Sequence, residues 1–478
     1  MYNSLEEYVN NNQEKKFVVI QGLGFVGSVM SLVCANAISE DYAVIGVDLQ
    51  TPKSLHRISS LNNGTFPLQA EDPKISLFFE NTKANKNFYA TFDESSYSYA
   101  DVIIIDINLD VQKYSKKDYS LDSYNVDLSG FQRAIQAIGK KCKENALILV
   151  ETTVPPGTTV NVVKPIIFSE LKKRSLTTEN IKIAHSYERV MPGPNYIDSI
   201  QNYPRAYSGI NDHSADAAMS FLETIINIEE CDLTRLNCTT STELAKVLEN
   251  SYRATNIAFA VEWSRFAEEA GVDLWSIVKA IRVRKTHNNL MFPNIGVGGY
   301  CLTKDPLLAN WARKTFFGSE DDLKMSIKSV SINDQMPLFA YKRIKNVFGS
   351  INNYKVVFLG VSYRGDVGDT RFSPVESLLK LVETDTNKIV IHDPYVKKWE
   401  ETGINTVTDL NDVFNFNPDL IIISTAHSFY KSEEIISKIL NLPKCMIFDS
   451  VGLLNEMQIE MLSVHHTVSV IGRGNASS

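Results

Sequence analysis

A short apolar segment, a group of glycines and an acidic residue follow one another near the start of the chain. The segment Lys16–Gln21 is rich in β-branched residues, which is typical of a buried parallel strand. It leads into Gly22-Leu-Gly-Phe-Val-Gly27 and a helical pattern that extends to Ile38. A second apolar strand, Ala43–Val47, ends at Asp48, about twenty residues beyond the last glycine. This order of strand, glycine turn, helix, strand and acid predicts a parallel α/β sheet that binds a dinucleotide.

The residue types in this motif indicate which dinucleotide is bound. Glycines permit a tight turn and the close approach of a pyrophosphate, whose charge is received by the helix N-terminus. Asp48 would accept hydrogen bonds from ribose hydroxyls and would repel a 2′-phosphate, which favours NAD over NADP. A glycine-rich turn without a ligand is the alternative interpretation. The residues predicted to bind NAD are Gly22, Gly24, Phe25, Val26, Gly27 and Asp48.

Length and composition limit the class of protein. A chain of 478 residues is expected to form two or three domains, because a single core rarely grows that large. The net charge of −8 argues against a nucleic-acid-binding surface. The cysteines include no Cys-x-x-Cys pair and the histidines no His-x-x-x-His pair, so we predict neither a disulfide framework nor a metal site. A polar N-terminal segment, Met1–Lys16, and the lack of a membrane-length apolar run predict a soluble, cytoplasmic protein.

Strands and helices alternate at both ends of the chain, with a helical stretch between them. We therefore predict an α/β protein in which two Rossmann-like, doubly wound domains are joined by a central helical segment. The predicted domains are 1–212, 213–335 and 336–478. The predicted strands after the first two are 101–105, 146–150, 181–185, 355–360, 388–391, 419–424 and 446–449. Helices are predicted at 129–143, 273–281 and 321–347.

The central segment begins with a long predicted helix. Thr240-Ser-Thr-Glu243 has the form of a capping box, and helical periodicity continues to Ala270. Lys246, Asn250 and Arg253 are spaced so that they share one polar face. A solvated face would show the same pattern, but lysine and asparagine projecting together are also suited to binding an oxyanion. The predicted apolar stripe comprises Leu244, Val247, Leu248, Ala258, Val261 and Phe266.

A glycine-rich loop with one cysteine follows, Pro293-Asn-Ile-Gly-Val-Gly-Gly-Tyr-Cys301-Leu-Thr-Lys-Asp305-Pro306. Its glycines can adopt positive φ and let a ligand lie against the backbone. Asp305 before Pro306 has the pattern of an N-cap and predicts a helix over 306–316. Cys301 would then lie just ahead of a helix N-terminus, where a thiolate is favoured. A small buried cysteine fits this stretch equally well when it is taken alone.

Three further polar segments follow predicted strands. Glu151–Thr159 places hydroxyls at the carboxyl edge of the first sheet, although Thr158 as a helix cap fits equally well. Glu188 and Arg189 follow another strand, where a structural ion pair is the simpler interpretation. In the second α/β part, the segment 360–371 combines acidic and basic groups, which suits a phosphate or a sugar but also a hairpin of salt bridges.

Together these motifs resemble the nucleotide-sugar dehydrogenases of the UDP-glucose/GDP-mannose dehydrogenase family. The resemblance extends from the first strand to about Val451 and implies an NAD-dependent, four-electron oxidation of a sugar C6 hydroxyl to a carboxylate. It also implies a helical dimerisation segment, a C-terminal domain that holds the nucleotide diphosphate, and a homodimer that binds a UDP-sugar but neither nucleic acid nor membrane. The matching motifs are Gly-Leu-Gly-Phe-Val-Gly, Thr-Val-Pro-Pro-Gly-Thr-Thr, Glu-Leu-Ala-Lys-Val-Leu-Glu-Asn, Gly-Val-Gly-Gly-Tyr-Cys-Leu-Thr-Lys-Asp-Pro, and Asp-Thr-Arg followed by Ser373-Pro374.

The resemblance also implies roles for particular residues. Cys301 matches the nucleophile that adds to the C6 aldehyde and later carries a thioester. Lys246 and Asn250 match the pair that stabilises the oxyanion, and Glu188 matches the acid/base of thioester hydrolysis. Asp305 matches a carboxylate near the catalytic water; Thr153 is expected near that water and the cofactor. The other residues expected to contact the substrate are Arg189, Arg253, Gly298, Gly299, Tyr363, Arg364 and Arg371.

The segment Glu188–Gly193 is similar to the branch that acts on UDP-N-acetylhexosamines, UDP-GlcNAc or UDP-ManNAc, for surface polysaccharide. UDP-glucose or GDP-mannose is the alternative substrate, and enzymes for these sugars have an Asn-Pro-Glu-Phe form. A two-electron dehydrogenase and a non-catalytic dinucleotide-binding protein are further alternatives. Three positions depart from the family pattern. Ile105–Asp110 replaces a Val-Pro-Thr-Pro-like turn, and Arg364 replaces a lysine. The arginine that often reaches a neighbouring subunit aligns near His287, and Arg282 and Arg284 are the alternative candidates for its role.

Overall fold

The computed structural model describes residues 2–68 and 72–474 of the chain. The chain divides into two compact units. The first contains the residues up to Val111, together with Val126–Leu248 and Trp311–Asp321. The second contains Gln112–Asn125, Glu249–Asn310 and the residues from Asp322 onwards. No helix within the described ranges has the length and hydropathy needed to cross a lipid bilayer.

The strands predicted from the sequence are present, each within one residue of its predicted bounds. Further strands were not predicted, among them the hairpin formed by the fifth and sixth strands and the last strand of the chain. In chain order, the strands are β1 (Lys16–Gln21), β2 (Tyr42–Val47), β3 (Phe88–Thr91), β4 (Val102–Ile105), β5 (Val111–Ser115), β6 (Leu121–Val126), β7 (Leu147–Val150), β8 (Lys182–Ser186), β9 (Arg205–Gly209), β10 (Leu233–Arg235), β11 (Val356–Leu359), β12 (Ile389–His392), β13 (Lys398–Trp399), β14 (Ile404–Asn405), β15 (Leu420–Ile423), β16 (Met446–Asp449) and β17 (Thr467–Val470).

Helices alternate with the strands in both α/β parts and follow one another without strands between them in the centre of the chain. In chain order, the α-helices are α1 (Leu5–Asn10), α2 (Phe25–Ala35), α3 (Pro52–Asn62), α4 (Pro73–Asn85), α5 (Ser129–Lys141), α6 (Lys164–Lys173), α7 (Asp198–Gln201), α8 (Asp212–Ile225), α9 (Thr239–Glu269), α10 (Leu274–Arg282), α11 (Asp305–Thr315), α12 (Lys324–Asp334), α13 (Met336–Phe348), α14 (Pro374–Val382), α15 (Leu410–Asn415), α16 (Glu433–Leu440) and α17 (Glu456–Ser463).

The first unit is built on an eight-stranded sheet with the order β10-β9-β8-β7-β4-β1-β2-β3. Neighbouring strands are parallel except β8 and β9, which are antiparallel. The strands β2, β4 and β7 are buried along their whole length. Continuous apolar strands of this kind occur where helices cover both faces of a sheet. On one face, Leu32 of α2 and Phe221 of α8 pack in the same core as Ile104 and Leu149.

The glycine turn between β1 and α2 confirms the predicted motif. Gly22 has φ +100°, which is in the left-handed region that favours glycine. A Cβ on Gly27 would lie 1.8 Å from the carbonyl oxygen of Gly22, so no larger side chain fits there. The helix ends at Ala35 and not at Ile38, because the Asn36 side chain bonds the last turn and donates to the carbonyl of Leu32 at 2.9 Å.

The second unit contains a five-stranded parallel sheet with the order β12-β11-β15-β16-β17. Phe358 of β11 and Ile422 of β15 pack with Leu378 of α14 in one of its cores, together with the fully buried Trp399. The predicted fold class is therefore confirmed: two parallel α/β sheets are separated along the chain by the helices α9–α13. The domain boundaries at residues 212 and 335 stay a prediction.

The helix predicted over 321–347 is wrong as a single element. It consists of two helices, α12 and α13, with Gln335 between them. Pro337 lies in the first turn of α13. Proline has no N–H to donate and its ring collides with the preceding turn, so it is tolerated at a helix start and interrupts a helix elsewhere.

The hairpin β5–β6 leaves the first unit and is part of the second. Lys113 forms an ion pair with Asp334 of α12 at 2.7 Å, and the backbone N–H of Leu121 donates to Ser331 Oγ at 3.1 Å. Asn310 donates through its amide to the Tyr124 hydroxyl at 2.7 Å. Contacts so far apart in the sequence leave no local signal, which is why the hairpin was not predicted.

The long central helix is confirmed as α9, but the capping box at its start is wrong. The Glu243 carboxylate is buried and accepts hydrogen bonds from the backbone N–H and the hydroxyl of Thr159, at 2.7 and 2.6 Å, and from the N–H of Gly157. The predicted Thr158 cap is also wrong, because its hydroxyl donates to the Pro155 carbonyl at 2.6 Å. The Glu243 side chain, which belongs to α9, therefore caps the turn that precedes α6.

The predicted apolar stripe of α9 is half right. Val247, Ala258 and Val261 are buried, as predicted. The other members, Leu244, Leu248 and Phe266, are exposed, so α9 carries apolar side chains on more than one side.

We expect Glu243→Gln to weaken the pH dependence of stability. Burial raises the pKa of Glu243 from 4.5 to about 7, although the hydrogen bonds from Thr159 oppose this shift. The folded state therefore holds a proton that the unfolded chain has released, and the stabilisation from this group falls as the pH rises from about 4.5 to about 7. Glutamine does not titrate. In this pH window the unfolding free energy of the variant should therefore fall less steeply with pH, by a slope equivalent to up to about one bound proton.

The control is Glu269→Gln, an exposed position at the end of the same helix, which should keep the wild-type slope. Urea unfolding followed by circular dichroism across this pH window measures both variants. An unchanged slope in Glu243→Gln would contradict burial as the source of the raised pKa.

Candidate active site

The first group of candidate residues lies at the carboxyl ends of adjacent strands in the first unit. Asp106 and Glu151 directly follow β4 and β7, and Ser186 ends β8. The strand register places these three residues side by side. All three are buried, and Asp106 Oδ2, Glu151 Oε2 and Ser186 Oγ have no hydrogen-bond partner among the described residues. Buried polar atoms at strand ends are where an α/β sheet receives a ligand or ordered water.

Arg205, the first residue of β9, forms an ion pair with Glu151. Both side chains are almost completely buried. Burial raises the pKa of Glu151 to about 7; Arg205 lowers it and the nearby Glu188 raises it. A buried ion pair of this kind keeps a fixed geometry. Removal of one partner would leave the charge of the other buried and uncompensated.

Asp106 was not predicted as a site residue, although it lies in the segment that departs from the family pattern. Burial raises its pKa well above the ordinary value, and the charges of Glu151 and Glu188 add to the effect. The carboxyl groups of Asp106, Glu151 and Glu188 lie close together in this cluster. The nearby cations are Arg205 and Lys246. A net negative charge buried in this cluster is costly, which is why the pKa of Asp106 is raised.

Lys246 and Glu188, both predicted catalytic residues, lie together in this unit. The ammonium of Lys246 donates to the backbone carbonyl of Glu188 at 2.7 Å and lies 3.7 Å from its carboxylate. The same ammonium lies 5.5 Å from the centre of the Tyr187 ring. Lys246 is buried, so the solvated-face interpretation is wrong for this residue.

The structural ion pair between Glu188 and Arg189 that the sequence suggested stays a prediction. Among its described contacts, Arg189 donates to the carbonyl of Pro204, and its guanidinium lies 5.5 Å from the centre of the Tyr187 ring. The carboxylate of Glu188 has Lys246 as a cationic neighbour.

The turn after β7 is tied to the loop after β4. The Thr152 hydroxyl donates to the Ile105 carbonyl at 2.9 Å and accepts from the N–H of Ile107 at 2.8 Å. The next residue, Thr153, is half-buried. Thr152 thus fixes the turn that carries the predicted Thr153.

The residues predicted to bind NAD lie at the start of α2 and at the end of β2. α2 begins at Phe25 with Gly24 as its N-cap, and apart from the two neighbours of Gly24 in the chain, no described residue has an atom within 4 Å of where a Cβ of Gly24 would be. Asp48 follows β2, and its carboxylate accepts from the N–H of Leu49 at 2.7 Å. Arg57 lies 3.8 Å from the same carboxylate, a neighbour that was not predicted. An open cradle at a helix N-terminus beside an acidic strand end fits a dinucleotide.

The second group of candidates lies in the second unit and includes Asn250 and Asp305. Asp305 is fully buried, and its carboxylate accepts from the Asn250 amide at 2.6 Å and from the Lys304 ammonium at 2.8 Å. The prediction of Asp305 as an N-cap is therefore wrong: it is the first residue of α11, and its side chain bonds these two neighbours. Lys304 was not predicted as a site residue. Asn250 is buried, whereas Arg253, predicted on the same face, is exposed.

Cys301 lies in the turn that immediately precedes α11, as predicted, and it is exposed. Its carbonyl accepts from the N–H groups of Asp305 at 3.0 Å and Lys304 at 3.2 Å. The alternative of a small buried cysteine is wrong for this residue. A thiol at this place is accessible to a substrate and close to the positive end of a helix.

The loop after β11 packs against the glycines before Cys301. A Cβ on Gly298 would lie 2.3 Å from Tyr363 Cβ, and one on Gly299 would lie 2.8 Å from the Tyr363 ring. The N–H of Gly299 donates to the Arg371 carbonyl at 2.9 Å. Only residues without a side chain permit this approach, so the glycines serve the contact between the two loops.

Charged groups in this loop are arranged in pairs. The Arg371 guanidinium bonds the Asp369 carboxylate through two parallel contacts, at 2.9 and 2.6 Å. Burial raises the pKa of Tyr363 to about 12, and Asp369 adds to the shift. Arg364, which replaces the lysine expected from the family, is exposed.

Comparison with known proteins covers nearly the whole chain. Three profiles of the UDP-glucose/GDP-mannose dehydrogenase family match: the NAD binding domain at residues 16–226, the central domain at 240–334 and the UDP binding domain at 357–456. The residues of the first candidate group fall in the first two of these ranges, and the loop with Tyr363 and Arg371 falls in the third.

Similar proteins include named enzymes from several organisms. A UDP-N-acetyl-D-mannosamine dehydrogenase of Methanococcus maripaludis is 28% identical over 93% of this chain and 95% of its own length. One from Campylobacter jejuni is 28% identical over 81% of this chain and 88% of its own. The solved structure of UDP-D-ManNAc dehydrogenase from Pyrococcus horikoshii superposes with a TM-score of 0.77 at 25% identity, over 96% of this chain and 100% of that one.

The family matches agree with the arrangement of the strands and with the open glycine cradle at the start of α2. The central and C-terminal matches cover the cysteine loop and the loop that packs against it. This chain belongs to the UDP-glucose/GDP-mannose dehydrogenase family and is an NAD-dependent dehydrogenase of nucleotide sugars.

Proposed function

We propose that the substrate is a UDP-N-acetylhexosamine and that, among these sugars, UDP-ManNAc is the preferred candidate. We also propose that its C6 hydroxyl is oxidised to a carboxylate in a four-electron reaction. The names of the similar enzymes support this sugar, as does the segment Glu188–Gly193. The observation that carries the four-electron proposal is the exposed Cys301 at the start of α11, beside glycines. A cytoplasmic location and a role in surface polysaccharide stay predictions from the sequence.

The proposed chemistry needs a thiol because an aldehyde must be held between two oxidations. NAD, when bound, accepts one hydride in each oxidation. The Cys301 thiolate adds to the C6 carbon of the aldehyde and forms a thiohemiacetal, which the second oxidation converts to a thioester. Water then releases the carboxylate and returns the thiol.

Lys246 is the proposed source of positive charge for the oxyanions of this sequence. Its burial and its hydrogen bond to the Glu188 carbonyl support a fixed ammonium, which stabilises developing negative charge more than a solvated one does. Asn250 is the proposed second donor, and its amide is oriented by the buried Asp305 carboxylate.

Glu188 is the proposed base for thioester hydrolysis, with Thr153 and Asp305 near the water. The neighbouring Glu151 supports this role, because burial raises its pKa to about 7 and a carboxyl with this pKa can take up a released proton. Tyr363 and Arg371, in the part that matches a UDP binding domain, are proposed to contact the nucleotide diphosphate. The substrate contacts of Arg189, Arg253, Gly298, Gly299 and Arg364 stay predictions.

Replacement of Cys301 by serine is expected to abolish formation of the uronate. A serine hydroxyl ionises far less readily than a thiol, so the aldehyde is not trapped and the second oxidation fails. NADH formed per sugar consumed should fall from two to at most one, measured by absorbance at saturating NAD with product identified by mass spectrometry. Cys238→Ser, at the other exposed cysteine, should retain a ratio of two. Undiminished acid formation by Cys301→Ser would reject the thioester route.

A panel of nucleotide sugars tests the substrate. Turnover is expected with UDP-ManNAc or UDP-GlcNAc and should be at least tenfold lower in kcat/KM with UDP-glucose and GDP-mannose, because a site built for an N-acetyl group leaves polar atoms unpaired with a hydroxyl. Turnover confined to UDP-glucose or GDP-mannose would overturn the proposed sugar. A ratio of one NADH per sugar would indicate a two-electron dehydrogenase, and none with any sugar would indicate a non-catalytic protein.

We also propose a homodimer formed through α9. Four large side chains on this helix, spaced so that they share one side of it, are exposed although they are apolar or aromatic: Tyr252, Phe259, Trp263 and Phe266. Trp263 contacts the rings of both Phe259 and Phe266, with centroid distances of 5.8 and 6.0 Å. Contiguous aromatic surface of this kind is typical of an interface.

Trp263→Glu is expected to convert the dimer into a monomer, because it places an unpaired charge in the centre of this aromatic surface. Light scattering during gel filtration measures the mass. Val464→Glu introduces the same charge at another exposed apolar position and should leave the mass unchanged. A wild-type chain that is monomeric at micromolar concentration would contradict the proposal.

A further inference from the structure

The loop after β11, residues 360–371, is hydrogen-bonded to the segment that follows β15. Ser424 donates through its hydroxyl to the Gly360 carbonyl at 2.6 Å, and Thr425 donates to the Ser362 carbonyl at 2.7 Å. A Cβ on Gly365 would lie 2.1 Å from the Ala426 carbonyl oxygen. The two segments are therefore in direct contact along most of their length.

His427 makes the central contact of this arrangement. Its ring is fully buried, and its Nδ1 accepts from the backbone N–H of Asp366 at 2.9 Å. Its Nε2 lies 3.1 Å from Asp393 Oδ2. Because Nδ1 accepts a hydrogen bond, the ring proton is on Nε2 and is donated to Asp393, so His427 acts as a neutral bridge.

Asp393 fixes the other side of the bridge. Besides the bond from His427, its carboxylate accepts from the N–H of Val361 at 2.8 Å and of Tyr395 at 2.9 Å. Burial opposes ionisation, but the bond from His427 and the N–H donors outweigh it and lower the pKa of Asp393. Asp393 therefore remains a satisfied carboxylate even without the histidine.

Contacts continue from His427 to the cysteine loop within the second unit. Asp366 has φ +58°, a left-handed conformation that is uncommon for residues other than glycine. Further along the loop, the N–H of Tyr363 donates to the Asp369 carbonyl at 3.0 Å, and Asp369 pairs with Arg371. Arg371 in turn accepts from Gly299. Asp366 lies between Tyr363 and Arg371 in this loop, so we expect a shift of its backbone to displace both residues proposed to contact the nucleotide.

We infer that His427 is a positioning residue for nucleotide-sugar binding: through the N–H of Asp366 it sets the conformation of the loop that presents Tyr363 and Arg371. This inference rests on the proposed role of that loop in holding the nucleotide diphosphate. His427 does not touch the substrate, and its effect is on affinity for the nucleotide and not on the oxidation itself.

Two replacements separate the two hydrogen bonds of the ring. Asparagine places an acceptor oxygen near the position of Nδ1, so His427→Asn keeps the bond from Asp366. Glutamine places its amide nitrogen near the position of Nε2, so His427→Gln keeps the bond to Asp393 and leaves the Asp366 N–H buried without an acceptor. His465→Gln, an exposed histidine in the same domain, is the matched control.

The measurements are the Kd of UDP by calorimetry, the KM values of the nucleotide sugar and of NAD, and kcat. We expect His427→Gln to raise the Kd of UDP and the KM of the sugar about tenfold, the effect of one lost hydrogen bond. The KM of NAD and kcat should change less than twofold. His427→Asn should bind UDP within threefold of wild type, and His465→Gln should be unchanged.

Wild-type UDP affinity in His427→Gln would overturn the inference. If His427→Gln and His427→Asn weakened UDP binding equally, the inference would also be overturned, since this result would indicate a general effect on folding. If the wild type binds UDP with the expected response to glutamine but oxidises no UDP-sugar, the proposed function fails and the inference stands. If the wild type binds no UDP at all, both fail.

Discussion

Charge that is buried away from water must be neutralised where it lies, and this constraint governs both units. Glu151 is paired with Arg205, and Asp305 with Lys304. Burial raises the pKa of Glu243 to about 7, and its carboxyl group takes hydrogen bonds from the turn before α6. Each arrangement costs desolvation energy that only well-placed partners offset, so these side chains define their neighbours' positions closely. The candidate residues for chemistry lie among these fixed charges.

The fold could be predicted where its signals are local. The strand, glycine turn and helix around Gly22 follow from residue types within about thirty positions of one another. Strand bounds were accurate because buried parallel strands are continuous apolar runs. The hairpin β5–β6 escaped prediction, because its strands are largely polar and it is held by distant partners such as Asp334. The break at Gln335 was missed because periodicity alone does not register a proline two residues later.

The residue types of the site could be predicted from the sequence, but the contacts between its side chains could not. Lys246 and Asn250 were predicted as site residues from their spacing and the resemblance, and both are buried, whereas Arg253 on the same predicted face is exposed. Glu243 matched a local capping pattern, yet its carboxylate bonds residues that precede it by more than eighty positions. Arg205 and His427 belong to no short motif, and Lys304 lies in the cysteine-loop motif without a predicted role, so only the folded chain reveals their contacts. Local rules fail where a long-range partner offers a stronger bond.

α9 is one continuous helix that carries Glu243, Lys246 and Asn250 within its first twelve residues. Each residue added or removed in a helix turns everything beyond it by about 100°. An insertion or deletion between Glu243 and Asn250 would therefore rotate these two side chains relative to each other about the helix axis. Because this stretch also matches a family motif, the spacing between its residues matters as much as their identity, and gaps in an alignment of the family should avoid it.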